Sequence, residues 1–259
     1  MSWKRKIAER LSRGRSFSRR LPSDFNGVKV VVSPDAALKY LKPGSAAFSR
    51  GLLEFAREFV QSGQVVWDIG ANVGIFSYAA AFRAGPSGRV LAVEPDRFLV
   101  ELLDRANRLN TSFDLNVEVL PVAVSSACGF TTFHIAARGR ASNWIDAAGG
   151  RSTAGGSRVT RVVPTLTLDS LLAQGPQPDV VKIDVEGAET MALEGAARLL
   201  SDARPIIYIE VGEAQEGRVR AVLQSADYEL LDGDQPIADR RPLKKCATNT
   251  LAIPRERIP

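Results

Sequence analysis

The stretch that decides the fold is "VVWDIGANVGIFSYAA", residues 65–80. An apolar run ends at Asp68, and a turn that carries Gly70 and Gly74 leads into a segment with an apolar helical face. A carboxylate at the end of a buried strand costs free energy unless a polar group meets it. Either the turn itself or a bound ligand must therefore satisfy Asp68.

Strand-like and helix-like segments alternate outward from this turn. Seven segments have strand character: "QVVWDIG", "RVLAVEP", "NVEVLPVAV", "DVVKIDV", "PIIYIEV", "YELLDG" and "TLAIP". Amphipathic helices separate the first three, and further helices are predicted over about residues 188–200 and 214–225. This βαβαβ order predicts a parallel, doubly wound α/β sheet in one domain.

Positive charge is concentrated at the N-terminal end of the chain. The net charge is +5, but residues 1–21 hold eight Lys or Arg against one acidic residue, so the remaining 238 residues carry −2. We predict a flexible basic arm over residues 1–25 and a single domain over residues 26–259 that does not bind nucleic acid.

The arm also bears on localisation. Trp3, Ile7 and Leu11 recur at helical spacing, so the arm is either a disordered tail or a short helix with weak contact to an anionic membrane surface. The sequence contains no apolar stretch of the length or position expected for a membrane span or a signal peptide. We therefore expect a cytoplasmic protein, peripheral at the inner membrane surface if the arm forms that helix.

Cysteine and histidine are scarce in this chain. Cys128 and Cys246 are its two cysteines, and His134 is its one histidine. Two distant cysteines predict reduced thiols, and together with one histidine they make a poor zinc set. We interpret His134 as an ordinary strand residue rather than a base. Carboxylates are therefore the expected acid and base groups.

A second carboxylate accompanies the glycine turn. Glu94 ends the next strand 20 residues after Gly74, where a ribose diol would lie in a dinucleotide-binding unit. Asn72 stands where the second glycine of that fingerprint would approach a pyrophosphate. A cofactor with a single carboxylate needs a less close approach, so we predict S-adenosylmethionine, bound by Asp68, Gly70, Asn72, Gly74 and Glu94. The alternative is that the glycines only permit a tight connection.

Six segments resemble successive blocks of FkbM-type S-adenosylmethionine-dependent methyltransferases: "VVWDIGANVGIFS", "VLAVEP", "LTLDSLL", "DVVKIDVEGAE", "PIIYIE" and "NTLAIP". The resemblance runs from about residue 64 to 254, and "KIDVEGAE" is its most specific part. It implies a class I methyltransferase (Rossmann-like) fold, a seven-stranded, mostly parallel sheet with helices on both faces and the last strand antiparallel. It also implies methyl transfer to a hydroxyl of a sugar, a glycolipid or polysaccharide, or a natural product. Where the family often has an acidic residue near the adenine, this chain has Ser126, which we include in the expected cofactor site.

The acceptor chemistry is expected at the ends of the fourth and fifth strands. Methyl transfer from a sulfonium needs an aligned acceptor oxygen, exclusion of water and removal of a proton. Asp184 is the first candidate base, Glu210 the second and Glu186 the third. Lys182 is either a structural partner of Asp184 or part of the site. A divalent metal held by Asp184, Glu210 and Asn249 is the less favoured alternative.

A glycine-rich segment over residues 137–158 shows no sustained periodicity. Loops of this length often act as lids, so we predict a mobile lid loop between two β-prone runs. Asn143 and Trp144 lie within it and either contact a sugar ring or anchor the loop.

Other functions share some of these features. The main alternative is a non-catalytic scaffold that binds S-adenosylmethionine or a protein. An NAD-dependent oxidoreductase is less favoured, because Asn72 replaces a glycine and no Tyr-x-x-x-Lys pair follows. A nucleic-acid base methyltransferase would need an aromatic turn that grips a flipped base, whereas the fourth strand ends in "IDVEG".

Overall fold

The computed structural model describes residues 13–148 and 155–258. Its strands are β1 (Phe17–Arg20), β2 (Lys29–Val32), β3 (Val65–Ile69), β4 (Arg89–Val93), β5 (Val117–Leu120), β6 (Ala123–Val124), β7 (Gly129–Ala136), β8 (Trp144–Ile145), β9 (Ser157–Leu166), β10 (Val180–Ile183), β11 (Ile206–Glu210), β12 (Tyr228–Asp232) and β13 (Asn249–Pro254). Its α-helices are α1 (Arg50–Phe59), α2 (Ile75–Ala84), α3 (Arg97–Leu109), α4 (Leu168–Leu172), α5 (Glu189–Glu194) and α6 (Glu216–Ser225).

A seven-stranded sheet lies at the centre, in the order β12-β13-β11-β10-β3-β4-β5. The strands from β11 to β5 run parallel, and β13 runs antiparallel to both of its neighbours. The predicted α/β class I methyltransferase fold, with its last strand antiparallel, is confirmed. The chain order reverses between β3 and β10, and ligands of such sheets bind beyond the carboxyl ends of the strands at this switch point.

Helices cover both faces of this sheet. Successive strand residues point to opposite faces, so Val66 packs in one core with α1, α2 and α3, whereas Trp67 and Ile69 pack in a second core with α4, α5 and α6. Asp68 and Lys182 are direct partners in the β3–β10 register. The two polar side chains therefore meet at the switch point.

A second sheet has the order β6-β9-β7-β8. The sequence predicted one third strand through "NVEVLPVAV", but the structure divides it. β5 ends at Leu120, and Pro121 follows without a backbone N–H to continue the ladder. Ala123 and Val124 then pair with β9 in the second sheet.

The fold begins earlier than the predicted boundary at residue 26. β1 pairs antiparallel with β2, and Leu21 and Phe25 are buried in the core that includes α1 to α3. Residues 17–25 therefore belong to the folded domain rather than to a basic arm, because their apolar side chains have a core to enter. The helix predicted near Trp3 lies outside the described residues.

The predicted lid loop is more ordered than its composition indicates. Within residues 137–148, a 3-10 turn spans Arg140–Ser142 and β8 pairs with β7. Residues 149–154 lie outside the described part of the chain. Among the helices that the structure describes, none has the length and apolar character needed to cross a bilayer.

Candidate active site

Asp68 has two polar partners within the protein. Its side chain is buried at the carboxyl end of β3, where Ser77 Oγ donates a hydrogen bond of 2.5 Å to Oδ2. Lys182 Nζ lies 3.1 Å from Oδ1 in an ion pair. The carboxylate that the sequence left open therefore has a helix hydroxyl and a neighbouring strand's ammonium as partners.

Lys182 joins three groups at the switch point. Its ammonium donates to Gly70 O at 2.6 Å and lies 3.5 Å from Asp184 Oδ2, and the residue is 3% exposed. Burial by itself lowers the pKa of Lys182, but the charges of Asp68 and Asp184 outweigh it and raise the pKa above its ordinary value. The interpretation of Lys182 as a structural partner of a buried carboxylate is thus supported, and Asp68 is nearer to it than Asp184 is.

The glycines of the turn are required by close approaches. Gly70 has φ +80°, and a Cβ there would lie 1.9 Å from the backbone oxygen of Asp184. Gly74 also has φ +80°, and a Cβ would lie 2.5 Å from Leu103 Cδ2 on α3. The absence of a side chain at Gly70 leaves room for the loop after β10, and its absence at Gly74 leaves room for the side chain of Leu103 on α3.

Glu94 closes the glycine turn from the neighbouring strand. Its Oε2 accepts the N–H of Asn72 at 2.8 Å, and its Oε1 accepts the N–H of Asp96 at 2.9 Å. Burial, with a smaller contribution from the charge of Asp96, raises the pKa of Glu94 to about 8. Asn72 adopts the left-handed conformation, with φ +54°, that aims its N–H at this carboxylate.

A cavity that we call the turn cavity opens beside Glu94. Its apolar wall is formed by Ile69, Val93, Val122, Ala123, Val124, Phe133 and Ile145. Its polar lining includes Gly70, Asn72, Glu94, Arg140, Asn143, Asp184 and Glu186. An apolar slot with a few convergent polar groups is typical of a small-molecule site.

Three predicted cofactor residues, Asp68, Gly74 and Ser126, lie outside this lining. Ser126 is exposed beyond β6, and the chain lines the cavity with Val122 to Val124 instead. The break at Pro121 redirects the chain into the second sheet, which moves Ser126 away from the expected adenine position. Gly74 packs against α3 rather than lining the cavity.

Asn143 and Trp144 form one side of the turn cavity. Asn143 Nδ2 donates to Asp96 Oδ2 at 2.8 Å, and its Oδ1 accepts the N–H of Ala136 at 2.9 Å, so this residue anchors the loop. The Trp144 ring stacks on His134, with centroids 4.8 Å apart and an angle of 2° between the planes. His134 lies in β7, as predicted, and supports the wall from behind.

A second cavity, the carboxylate cavity, adjoins the first. The three candidate bases meet here: Asp184, Glu186 and Glu210 each offer an oxygen, and these oxygens all lie within 4.8 Å of one another. Asp68 also lines this cavity. Asn249, the third ligand of the metal alternative, does not line this cavity, and its side-chain amide donates to Asp234.

Sequence reasoning missed two cationic residues of the site. Lys39 lines the carboxylate cavity, where desolvation lowers its pKa although Asp184 and Glu210 oppose that effect. Arg140 lines the turn cavity and binds Asp96. Neither residue lies in a recognisable motif, because each reaches the site from a short 3-10 turn far from the strand ends.

Comparisons with known proteins bear on this geometry. The model of the family described as "Methyltransferase FkbM domain" matches residues 68–230. A curated relative, the hexuronic acid methyltransferase AglP of Haloferax volcanii, is 31% identical over 163 residues. The match covers 61% of this chain and 59% of that relative, so the chain spans about three fifths of the relative's length.

Solved structures with similar chains include other methyltransferases. A methyltransferase FkbM from Methylobacillus flagellatus has a TM-score of 0.49 at 16% identity, covering 83% of this chain and 56% of that one. Aeropyrum pernix fibrillarin with bound S-adenosyl-L-methionine has a TM-score of 0.44 at 15% identity, covering 94% and 86%.

Proposed function

Because the chain belongs to the FkbM methyltransferase domain family, we propose that it transfers a methyl group from S-adenosylmethionine to an oxygen atom of a carbohydrate-type acceptor. The observation that carries this proposal is the pair of adjoining cavities. One joins an apolar slot to a buried carboxylate, the other gathers three carboxylates, and Asp184 lines both.

The turn cavity offers an adenosyl group a hydrogen-bond acceptor and an apolar wall. The hydroxyls of a ribose would donate to Glu94, and an adenine ring would pack against the apolar wall near Phe133 and Ile145. When bound, S-adenosylmethionine supplies an electrophilic methyl group on a sulfonium. Asp68 would act indirectly, because it does not line the turn cavity and instead binds Ser77 and Lys182.

Asp184 is our first candidate for the residue that accepts the acceptor's proton. It lies where the two cavities meet, so a hydroxyl bound in the carboxylate cavity could reach it while facing the turn cavity. Glu210 and Glu186 remain the second and third candidates, because their carboxylates lie beside it.

The carboxylate cavity and the curated relative support the proposed acceptor class. Three carboxylates accept hydrogen bonds from several hydroxyls, which suits a sugar, a glycolipid or polysaccharide, or a hydroxylated natural product. The name of the Haloferax volcanii relative, a hexuronic acid methyltransferase, supports a sugar acceptor.

Calorimetric titration tests the cofactor part of this proposal. We expect micromolar binding of S-adenosylmethionine and no binding of NAD. Glu94→Ala should weaken binding at least tenfold, about 1.4 kcal/mol, because it removes the ribose acceptor. Glu118→Ala, at an exposed β5 side chain, is the matched control and should bind as the wild type does. No binding by the folded wild type would overturn the proposal.

Asp184→Asn tests the base. We expect turnover of a sugar acceptor to fall about 10²-fold or more while the affinity for S-adenosylmethionine stays within about twofold. Glu210→Gln and Glu186→Gln serve as comparisons, and whichever variant loses turnover most identifies the base. Cofactor binding by the wild type without turnover on any hydroxylated acceptor would favour the non-catalytic scaffold instead.

A divalent metal at Asp184, Glu186 and Glu210 is the less favoured variant of this mechanism. Hard carboxylate oxygens suit Mg²⁺, which would lower the pKa of the acceptor hydroxyl. Activity that survives exhaustive chelation would exclude it.

A further inference from the structure

Residues 139–145, which we call the strap, lie along both cavities. Arg140, Asn143 and Trp144 line the turn cavity, and Ala141 lines both cavities. Two backbone hydrogen bonds hold the strap to the segment after β2, with Arg140 N donating to Asp35 O at 2.9 Å and Ala141 N to Ala36 O at 3.1 Å. The strap is therefore docked on the N-terminal part of the fold.

The guanidinium of Arg140 joins two buried carboxylates. Its Nε donates to Asp35 Oδ2 at 2.8 Å, and its Nη1 donates to Asp96 at 2.8 Å and 2.5 Å. The group also lies over the ring of Phe98, 4.5 Å from its centroid. Burial opposes the charge of Arg140, but its hydrogen bonds and ion pairs to Asp35 and Asp96 raise its pKa above the ordinary value. Two carboxylates that are 5% and 3% exposed depend on this cation.

Asp96 connects Arg140 to Glu94, the carboxyl group proposed to bind the cofactor ribose. The backbone N–H of Asp96 donates to Glu94 Oε1 at 2.9 Å. Its side chain caps α3 by accepting the N–H of Phe98, and it also accepts Asn143 Nδ2 from the strap. A displacement of Asp96 would therefore move the N–H group that orients Glu94.

We propose that Arg140 is a positioning residue for cofactor binding, which holds the strap against Asp96 and thereby fixes both the wall of the turn cavity and the orientation of Glu94. This inference rests on the proposed function, because it takes the turn cavity to be the S-adenosylmethionine site. Arg140 acts through Asp96 and takes no part in proton transfer.

Arg158 offers a matched control. It lies in β9, and its Nη2 donates to the same oxygen of Asp35 at 2.8 Å. It is not among the residues that line the turn cavity. Replacing it removes one cation from Asp35 and leaves the Arg140–Asp96 contact in place.

The test compares Arg140→Gln, Arg140→Lys and Arg158→Gln in the full chain, by calorimetry with S-adenosylmethionine and by steady-state kinetics. We expect Arg140→Gln to raise the cofactor Kd and KM at least tenfold with kcat within about threefold. Arg140→Lys should recover part of this loss, since an ammonium reaches one carboxylate but not both. Arg158→Gln should stay within about twofold of the wild type.

Asp96→Asn keeps the cap of α3 and the N–H to Glu94 but weakens the contact with Arg140, so it tests the idea if Arg140→Gln does not fold. It should raise the cofactor Kd as Arg140→Gln does, and the double variant should lose no more than either single one. Amide hydrogen exchange of residues 139–145, measured without cofactor, should speed up in both.

Wild-type affinity in folded Arg140→Gln or Asp96→Asn, or an equal loss in Arg158→Gln, would overturn the inference. Failure of the wild type to bind S-adenosylmethionine would instead overturn the proposed function. The two failures are therefore distinguishable.

Discussion

The glycine turn depends on the absence of one atom, the Cβ of residue 70. At Gly70 the loop after β10 passes so closely that a Cβ would overlap the backbone oxygen of Asp184. The same backbone oxygen belongs to the first candidate base, so the turn and the loop after β10 constrain one another. A side chain at position 70 would have to displace a residue of the site.

Gly70→Ala should lower the free energy of unfolding by at least about 2 kcal/mol, because it adds a clash to a strained left-handed conformation. Gly217→Ala is the control, since a Cβ there meets nothing within 4 Å and the residue lies in α6. That change should be neutral or stabilising by up to about 1 kcal/mol. Urea unfolding measures both, and equal stability of the two variants would contradict the prediction.

The buried carboxyl of Glu94 gives the fold a pH dependence. Its pKa is raised from 4.5 to about 8, so the folded state binds more protons than the unfolded state between these values. Stability from this group is present below pH 4.5 and is lost as the pH rises through about 8. Its contribution to the slope reaches about 1.4 kcal/mol per pH unit.

Glu94→Gln should remove that contribution, because an amide does not titrate. Urea unfolding of both proteins at a series of pH values from 5 to 9 measures the two slopes. Parallel curves for the two proteins would show that Glu94 does not titrate in this range.

At the scale of elements, the site is built by strand register. β3 and β10 pair so that Asp68 and Lys182 are opposite one another, and Lys182 is in turn opposite Tyr208 of β11. The ion pair thus links two central strands at the edge of the sheet where the carboxylate cavity lies. A buried pair of this kind is strongly destabilising to break, because the remaining charge loses its partner.

Lys182→Met should lower the free energy of unfolding by about 3–5 kcal/mol, since it leaves Asp68 buried without its cation. Asp68→Asn in the same chain should restore part of the loss. Arg89→Met, which breaks an exposed pair with Glu118, should cost less than about 1 kcal/mol. A similar loss for the buried and the exposed pair would refute the argument.

Helices and strands could be predicted where the periodicity of apolar residues was strong. The prediction failed where pairing between distant strands determined the structure. The central strands and the helices behind them follow from the alternation of apolar residues. The helix predicted over 188–200 is α5, Glu189–Glu194, followed by a separate π-helical turn at Leu199–Ala203. β8 and the split at Pro121 depend on pairing with β7 and β9, which no local pattern specifies.

The residues of the candidate site could be predicted from the sequence to the same extent as the helices and strands. Asp68, Glu94 and Asp184 stand at the ends of parallel strands, and the topology of the sheet brings such ends together. Lys39 and Arg140 reach the cavities from turns whose position depends on the whole fold. Ser126 was placed near the adenine from the family resemblance alone, which does not show that the chain enters the second sheet after Pro121 and leaves Ser126 outside the turn cavity.

At the scale of the whole molecule, the segment before β2 contributes side chains to the hydrophobic core. Leu21 and Phe25 are buried, and β1 pairs with β2 along its length. Deleting residues 1–25 should therefore lower the free energy of unfolding by about 3 kcal/mol or more. Deleting residues 1–12 removes none of these contacts and is the control. Equal stability of the two truncated proteins, measured in urea, would contradict this prediction.

The shared wall of the two cavities has a consequence for inhibitor design. Asn72, Ala141, Asp184 and Glu186 line both cavities, so a compound seated in one is next to the other. An adenosine joined to a monosaccharide by a short tether would occupy both sites in a single binding event, and the tether would hold the second half at a high effective concentration. Under the proposed function, selectivity over other enzymes with a similar adenosine site would come from the sugar half, which lies among all three carboxylates of the carboxylate cavity.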